Sequence, residues 1–493
     1  MAEYKPTIGL EVHAELKTRT KMFCDSLNDP DEKHPNVNVC PICMGHPGTL
    51  PTINKQAVEY VIKVGLAIGA RINPVTKFAR KNYFYPDLPK GYQISQYDQP
   101  IVGPGELKIP GRETAVKIHR IHLEEDAGKL VHEDGNSSTG SGAAALVDYN
   151  RASVPLMELV TEPDMRSVEE AVAFMKELQL LLRYIGVSDA DLERGQMRAD
   201  ANISLSPDET LGTRVEIKNL NSFRSVASAI NYEIKRQTEV LDKGEKVHQE
   251  TRGWDDVKQK TTIQRSKEQA HDYRYFPEPD LPPFETDIFD PEDLKRNLPE
   301  LPRAKQARFV AEFGLEDKQA MLLIENKPVA DFFEAAVSEL ATEDDQVTSK
   351  IEKTSQELLF NYLTSDLLGL VAEFDIPFGE GKVSAQELAH LVDLIVDGKI
   401  GSRQAKDILR KMFETGESAE TILTTEGLHT VSDEDELLKI VEEVIAENSA
   451  AVSDYKKGKA ASIQFMIGKA MGKLKGRGNP GTLKTLFEQK LTG

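Results

Sequence analysis

Short strand-like runs near the start of the chain place acidic side chains on one face, and this pattern constrains the fold more than any other feature. In residues 8–16, Glu11, His13 and Glu15 alternate with apolar residues. Because successive side chains of a β-strand point to opposite faces, these three groups share one face. The same character recurs in three further runs: residues 121–126, which end in three acids, residues 198–203 and residues 215–218. We therefore predict a sheet whose polar face suits Mg²⁺ and a nucleotide, although any single run also fits an ordinary sheet with one face in water.

The composition is that of a globular chain with more than one domain. The 493 residues are 39% hydrophobic and 29% charged, which predicts about two to four domains. The sequence has no run of 18 apolar residues, so no transmembrane helix is predicted. The N-terminus has no apolar signal-peptide core, and three cysteines in so long a chain favour a reducing, cytoplasmic setting.

The C-terminal segment reverses the charge of the rest of the chain. The formal net charge is −20, which disfavours non-specific adhesion to nucleic acid or to an anionic membrane. In residues 451–493, however, nine lysines and arginines accompany only two acids. A basic tail on an acidic body predicts a polyanionic partner for that end alone, and a solvated cationic helix face is the alternative.

The secondary-structure signals change near residue 293, after a proline-rich stretch at residues 276–283. Before this point, strand-like runs alternate with helical patterns at about residues 54–69, 167–186 and 222–244. Beyond it, the helical period continues to the end of the chain. The residues alone thus predict a mixed α/β part followed by a helical part.

A segment at residues 77–96 interleaves basic and aromatic side chains. Cations can bind phosphate while the rings stack on a base or a ribose. Arg80, Lys81 and Lys90 are the candidate phosphate ligands, and an aromatic loop that packs on the core is the alternative.

The three cysteines are Cys24, Cys40 and Cys43, and the last two form a Cys-x-x-Cys pair typical of half a zinc site. A tetrahedral site needs a fourth ligand, for which His34 or His46 is a candidate. Ser26 stands where a second cysteine of a Cys-x-Cys pair would lie. Bound Zn²⁺ and three unligated thiols both remain open.

Several nucleotide and amidase motifs are absent from the sequence. It contains no Gly-x-x-x-x-Gly-Lys-Ser/Thr loop, which argues against a P-loop nucleotide site. It also contains no Gly-x-Ser-x-Gly elbow. We find no convincing amidase nucleophile, neither a cysteine nor a serine.

Taken together, the motifs resemble those of the B subunit of the aspartyl/glutamyl-tRNA amidotransferases. The resemblance covers essentially the whole chain and is most specific before residue 290. It is carried by residues 9–13 (GLEVH), 80–87 (RKNYFYPD), 92–96 (YQISQ), 122–129 (HLEEDAGK), 200–202 (DAN), 218–223 (KNLNSF) and 272–280 (DYRYFPEPD).

The resemblance implies a reaction and partners. ATP phosphorylates the side-chain carboxylate of misacylated Glu-tRNA(Gln) or Asp-tRNA(Asn), and ammonia then displaces the phosphate. An A subunit releases the ammonia from glutamine, and a small C subunit holds the A and B subunits together. This agrees with the lack of an amidase nucleophile in this chain.

The resemblance also implies an α+β fold with three domains. A catalytic cradle domain, similar to the glutamine synthetase fold and built on a mostly antiparallel sheet, is expected at residues 1–293. An all-α helical domain is expected at residues 294–400, and an α-helical tail domain that binds tRNA at residues 401–493.

Site residues follow from the same resemblance. Glu11, His13, Glu125 and Glu216 are the implied catalytic and Mg²⁺-binding positions at the ATP site, with Glu124 and Asp200 as further Mg²⁺ ligands. The implied tRNA contacts are Lys456, Lys457, Lys459, Lys469, Lys473, Lys475 and Arg477. Some members of the family have four cysteines and others have none, so the three in this chain leave a structural Zn²⁺ open.

Two other functions compete with this interpretation. One is a glutamine synthetase-like ligase that acts on a free small carboxylate, but such a substrate needs neither a helical C-terminal third nor a basic tail. The other is a non-catalytic tRNA-binding adaptor, which would tolerate loss of the acidic residues.

Overall fold

The computed structural model describes residues 4–132, 145–266, 273–340, 349–426, 434–456, 459, 461–474 and 478–492. Its chain divides into two compact units, Met1–Pro302 and Arg303–Gly493. The first unit contains the strands and the second is helical, and each is described separately below.

The first unit combines strands with a few helices. The strands are β1 (Lys5–Glu15), β2 (Val75–Thr76), β3 (Ala79–Asn82), β4 (Tyr92–Ser95), β5 (Gly105–Leu107), β6 (Val116–Glu125), β7 (Lys129–His132), β8 (Ala145–Asp148), β9 (Pro155–Thr161), β10 (Met197–Ser206), β11 (Val215–Leu220), β12 (Glu250–Asp255), β13 (Lys260–Ser266), β14 (Phe276–Pro277) and β15 (Phe284–Glu285). The helices are α1 (Lys55–Ala67), α2 (Val168–Tyr184), α3 (Phe223–Asp242) and α4 (Pro291–Arg296), with a 3₁₀ turn at Thr286–Phe289.

Eight of these strands form one sheet in the order β13-β12-β11-β10-β1-β9-β6-β5. Neighbouring strands are antiparallel except for β11 and β12, which are parallel. A smaller sheet, in the order β14-β3-β4, lies beside it, and β4 contacts β6. The predicted strand runs at residues 8–16, 121–126, 198–203 and 215–218 fall on β1, β6, β10 and β11. The prediction of a large, mostly antiparallel sheet is therefore confirmed.

The apolar face of the large sheet packs against helices. Leu10 and Val12 of β1 are buried with Ala201 of β10 in a core that also contains residues of α1, α2 and α3. Ser167 caps α2, because its side chain accepts a hydrogen bond from the backbone N–H of Glu170. Burial of this face leaves the opposite face of the sheet to carry the polar side chains.

The second unit is helical, as predicted. Its helices are α5 (Pro302–Phe313), α6 (Asp317–Ile324), α7 (Lys327–Glu339), α8 (Ser349–Asn361), α9 (Leu368–Glu373), α10 (Ala385–Val396), α11 (Ser402–Thr415), α12 (Ala419–Glu426), α13 (Glu434–Glu447), α14 (Ser449–Lys456), α15 (Ala461–Lys473) and α16 (Pro480–Thr492). One π-helical stretch, Tyr362–Leu367, joins α8 to α9. Across the described residues, no helix combines the length and the apolar character that a membrane crossing requires.

Two hydrophobic cores stabilise the second unit. Helices α5 to α12 share the core that runs from Phe309 to Leu423. Helices α13, α15 and α16 share the core that runs from Leu437 to Leu491. The predicted domain limits at residues 293 and 400 remain predictions, and any such division has to accommodate α11 and α12, which pack with the helices before them.

The loop between β10 and β11 gives a test of the packing around the sheet. A methyl group at Gly212 would clash with the backbone carbonyl oxygen of Leu205. We expect Gly212→Ala to lower the free energy of unfolding by roughly 1–3 kcal/mol, because backbone atoms cannot relax as a side chain can. Denaturant unfolding measures this, and Leu211→Ala is the matched control, since Leu211 is 66% exposed in the same loop. Equal stability of the two variants would contradict the packing described here.

Candidate active site

The register of the large sheet brings polar side chains from separate strands into rows. Glu11 of β1 lies opposite Asp200 of β10. His13 lies between Arg198 of β10 and Glu158 of β9. Because directly opposed side chains on one face are about 4.5–5.5 Å apart at Cβ, such a row forms a contiguous site.

Three carboxylates form a first group, the Glu11 cluster, which consists of Glu11, Asp200 and Glu216. Each offers an oxygen, and these oxygens lie within 4.8 Å of one another. Lys218 lies among them, with Nζ 2.9 Å from an oxygen of Asp200 and 3.1 Å from an oxygen of Glu216. Asn202 donates a hydrogen bond of 3.0 Å to Glu11. Three oxygen donors in this arrangement suit a hard divalent cation.

The electrostatics of the Glu11 cluster favour an added positive charge. Burial raises the pKa of Glu11, and repulsion from Glu158, Glu216 and Asp200 raises it further. Burial also opposes ionisation of Glu216, but Lys218 and a hydrogen bond of 2.8 Å from Thr251 outweigh it, so the pKa of Glu216 is lowered. One ammonium thus faces three carboxylates, and a bound cation would relieve the remaining repulsion.

A second group, the His13 cluster, consists of His13, Glu124 and Glu158. The Nε2 atom of His13 is 3.3 Å from a carboxylate oxygen of Glu158 and 3.6 Å from one of Glu124. His122 supports the cluster, with Nε2 3.4 Å from Glu158. Burial of His13 lowers its pKa, but the hydrogen bond and charge of Glu158 outweigh this, so the pKa of His13 is raised. These contacts favour the protonated imidazole, and with neutral His13 the same three side chains offer a set of metal ligands.

Glu125 is not brought into either cluster. It follows Glu124 on β6 and therefore points to the other side of the strand. Its carboxylate accepts hydrogen bonds from Lys90 at 2.6 Å and from the backbone N–H of Ile94 at 2.8 Å. The catalytic and metal-binding role of Glu125 stays a prediction, and any ligand would first have to replace Lys90.

The three predicted phosphate ligands lie in different surroundings. Lys90 pairs with Glu125, and Arg80 binds Glu278 through two hydrogen bonds of 2.7 and 2.8 Å. Burial lowers the pKa of the Lys81 ammonium, but the charges of Glu124, Tyr275 and Glu158 outweigh burial and raise it. Of the three, Lys81 is thus the cation placed beside the candidate site.

A cleft of about 600 Å³ opens near the end of β1, next to the polar face. Asp126 and Arg198 line it and form an ion pair with distances of 3.1 and 3.2 Å. Glu15 also lines the cleft, and burial together with the neighbouring Asp126 raises its pKa to about 8. A carboxyl group that keeps its proton at neutral pH can donate a hydrogen bond where an ionised one cannot.

The three cysteines come together, and their Sγ atoms lie within 4.8 Å of one another. The buried ammonium of Lys21 is 3.9 Å from the Sγ atom of Cys43. A hydrogen bond from Cys24 and the charge of Lys21 outweigh burial and lower the pKa of Cys43 to about 5. Among the described residues neither His34 nor His46 joins this group, and the ring of His34 instead contacts Glu32 at 2.9 Å.

The described tail lysines lie on the surface, and some of them pair with acids. Lys473 contacts Glu443 at 2.9 Å and Glu447 at 2.7 Å. Lys459 contacts Asp454 at 3.1 Å, and Lys469 lies over the ring of Phe465. Lys456 is exposed at the end of α14. Lys457, Lys475 and Arg477 lie outside the described residues. The tRNA-binding role of all seven stays a prediction.

Sequence reasoning did not assign several residues to the site. Glu158 is the central carboxylate of the His13 cluster, and the sequence suggested it only as a residue of the polar face, not as a site residue. Lys218, Asn202 and His122 stood in predicted strand runs without an assigned role. Thr251 reaches the site through the pairing of β11 with β12, which the local pattern does not reveal.

Comparison with known proteins agrees with the predicted resemblance. The sequence profile described as the GatB/GatE catalytic domain matches residues 6–288, and that described as the GatB domain matches residues 345–491. The chain is 46% identical over 497 residues to a protein of Dehalococcoides mccartyi (strain CBDB1), with 100% of this chain and 99% of that protein covered. It is 45% identical over 493 residues to a protein of Moorella thermoacetica, with 99% and 100% covered. Both relatives are named as the B subunit of an aspartyl/glutamyl-tRNA(Asn/Gln) amidotransferase.

These relationships establish the family. The chain belongs to the B-subunit family of the tRNA-dependent amidotransferases, the glutamine-dependent ligases of translation. The prediction of the family from the sequence motifs is thereby confirmed.

The raised pKa of Glu15 predicts a pH dependence of stability. In the folded chain Glu15 keeps its proton up to about pH 8, whereas the unfolded chain releases it near 4.5. Between these values the unfolded chain binds fewer protons, so the free energy of unfolding falls as the pH rises and levels off above about pH 8. Urea unfolding from pH 5 to 9 measures this slope.

We expect Glu15→Gln to flatten that slope and to stabilise the protein at the alkaline end. Glu193→Gln is the matched control, because Glu193 is an exposed carboxylate at the same cleft. If the wild-type protein and Glu15→Gln show the same pH profile, Glu15 does not keep its proton in the folded chain at neutral pH.

Proposed function

We propose that this chain carries the site at which ATP phosphorylates the side-chain carboxylate of a misacylated Glu-tRNA(Gln) or Asp-tRNA(Asn), and at which ammonia then displaces the phosphate. The observation that supports this most directly is the pair of clusters on one face of the large sheet. One is an acidic group around a single ammonium, and the other combines two carboxylates with imidazole. A free carboxylate is a poor electrophile, so amide formation by ammonia needs a site that first activates it.

We further propose that the two clusters hold Mg²⁺. The residues fit the ion: oxygen donors converge in the Glu11 cluster, and burial among like charges raises the pKa of Glu11. In the His13 cluster, the Nδ1 atoms of His13 and His122 have no hydrogen-bond partner among the described residues, so both rings are directed by Nε2 alone. When bound, Mg²⁺ would offset the charge of the phosphates of ATP.

The protein side chains have distinct parts in this scheme. Lys218 stands where it can hold a phosphate oxygen while it balances Asp200 and Glu216. Lys81 interacts electrostatically with Glu124 and Glu158 of the His13 cluster and can pair with the substrate carboxylate. Arg80 and Lys90 remain proposed phosphate ligands, although both are held by carboxylates in the described arrangement. Glu125 remains a proposed Mg²⁺ ligand, although its carboxylate is held by Lys90.

The finer fold and partner assignments belong to this proposal too. The antiparallel sheet with one polar face supports a glutamine synthetase-like cradle for residues 1–293, followed by helical and tail domains with limits at 400 and 401. We propose an A subunit as the source of ammonia, a small C subunit that joins it to this chain, tRNA contacts through the tail lysines, and a cytoplasmic location. The names of the relatives, which specify one subunit of a tRNA-dependent enzyme, support this assembly.

We also propose a structural Zn²⁺ on Cys24, Cys40 and Cys43. The three sulfurs converge, and Lys21 offsets the charge of thiolate ligands. Ser26 hydrogen-bonds Cys24 and stands in the place of a fourth cysteine. The zinc content of the purified chain, measured by plasma mass spectrometry, is expected to fall from about one per chain to near zero in Cys40→Ser, with amidation retained. A wild-type chain without zinc would leave three unligated thiols as the correct description.

The metal proposal predicts that a substitution in either cluster removes the metal ion of that cluster alone. The ions are counted by electron paramagnetic resonance in the assembled complex, with Mn²⁺ in place of Mg²⁺. Glu216→Gln and Glu158→Gln should each lower the count from about two Mn²⁺ ions to about one. Each should also lower amidation of Glu-tRNA by about 100-fold or more. Glu209→Gln is the control, because Glu209 is exposed and pairs with Lys5 far from both clusters. Unchanged ion counts in both variants would refute the metal assignment.

The substrate proposal is tested in the same complex with ATP and ammonium. We expect amide formation on Glu-tRNA or Asp-tRNA and none on free glutamate. Activity on free glutamate would favour a ligase for small carboxylates, and intact activity in Glu216→Gln and Glu158→Gln would favour an adaptor without catalysis. Neither alternative is favoured by the described residues or by the relatives.

A further inference from the structure

Five tyrosines form one continuous chain of ring contacts, which we call the tyrosine row: Tyr85, Tyr83, Tyr273, Tyr275 and Tyr97. Successive ring centroids are 6.3, 5.9, 6.1 and 4.3 Å apart. Tyr275 and Tyr97 are stacked, with an angle of 13° between their planes. The row joins the loops around β3, β4 and β14, which no single stretch of sequence would bring together.

The row is open to solvent at both ends. Tyr85 and Tyr97 are each 56% exposed, and the neighbouring Phe84 is 89% exposed. By contrast, Phe78 at the start of the same segment is 1% exposed and belongs to the core. Exposed rings that are grouped and continuous, rather than scattered, mark a binding surface.

The row adjoins the His13 cluster. Lys81 lies over Tyr273, with Nζ 5.3 Å from the ring centroid. The charges of Glu124 and Glu158 help to raise the pKa of its ammonium. On the neighbouring strand, Ser95 donates a hydrogen bond of 3.1 Å to Glu124. A ligand stacked on the row would therefore have the carboxylates of the His13 cluster within reach.

The Glu11 cluster lies on the other side of the His13 cluster. Glu216 is on β11 and Glu124 on β6, which are separated in the sheet by β10, β1 and β9. Four strand spacings amount to about 19 Å. In-line phosphoryl transfer places the attacking and leaving oxygens on opposite sides of the phosphorus. If the triphosphate lies at the Glu11 cluster, the acceptor carboxylate approaches from the side of the tyrosine row.

We propose that the tyrosine row stacks the 3′-terminal nucleotide of the aminoacyl-tRNA and so delivers its acyl side chain to the His13 cluster. This inference rests on the proposed function. The amino acid is esterified to the terminal ribose, so the distance between the terminal base and the reacting carboxylate is limited to the length of the aminoacyl-ribose linkage. A single-stranded end offers bases for stacking, and the exposed Arg274 in the same segment suits its phosphodiester.

The test uses the assembled complex, with Tyr97→Leu as the variant, because Tyr97 is the exposed end of the row that stacks on Tyr275. This variant should raise the KM for Glu-tRNA by roughly 5- to 100-fold, the range that stacking of one base contributes. The KM for ATP and the glutaminase activity of the complex should not change. Tyr97→Phe should retain most of the affinity because it keeps the ring. Tyr60→Leu is the matched control, since Tyr60 is a half-buried tyrosine of the same unit outside the row.

A second readout follows the base itself. A tRNA with 2-aminopurine at its 3′ end should lose fluorescence on binding to the wild-type complex and lose less with Tyr97→Leu. A rise in the KM for ATP instead would assign the row to the adenosine of ATP and overturn the proposal. Unchanged values for both substrates would also overturn it. A wild-type complex that does not amidate Glu-tRNA would refute the proposed function, which is a different result from active enzyme with no effect of the substitutions.

Discussion

The site depends on the register between β1 and its two neighbours. Pairing of Glu11 with Asp200, and of His13 with Glu158, sets the distances within both clusters. A slip of one residue would turn every one of these side chains into the core and expose the apolar set that includes Leu10. The register is held because the other face of the sheet is buried against helices, so hydrophobic packing on one side determines the geometry of the charges on the other.

Placing like charges together has an energetic cost. The two clusters differ in how far neighbouring positive charges and hydrogen-bond donors offset the repulsion between their carboxylates. In the Glu11 cluster one ammonium and two neutral donors, Asn202 and Thr251, offset three carboxylates. Around the His13 cluster, two imidazoles and Lys81 accompany two carboxylates. The first cluster is left electrostatically incomplete, whereas the second is close to balanced. The remaining negative charge favours a bound cation in the Glu11 cluster.

The sequence predicted the parts of this site that follow from alternation within one strand. Glu11, Asp200 and Glu216 were placed on one face because their strands alternate clearly, and the structure brings them together. Alternation on β6 also implies that Glu124 and Glu125 point to opposite sides, which the run of three acids obscured. Other features have no local signal: Lys90 pairs with a residue 35 positions away, and Arg80 with one 198 positions away. Such pairs exist only once the chain has folded, so the identity of the free cations could not be predicted.

The difference in charge between the two clusters also determines how each would bind a cation. A cation that enters the Glu11 cluster adds to a group already rich in negative charge and displaces no proton from a histidine. A cation that enters the His13 cluster has to displace the proton that Glu158 stabilises on His13, so its binding weakens at low pH. When His13 carries this proton, it can act as an acid beside the substrate carboxylate, but it cannot bind a metal ion. The face thus combines one cluster of three carboxylates with a second cluster that contains an imidazole, and under the proposed function the imidazole is the group that can exchange a proton with the attacking ammonia.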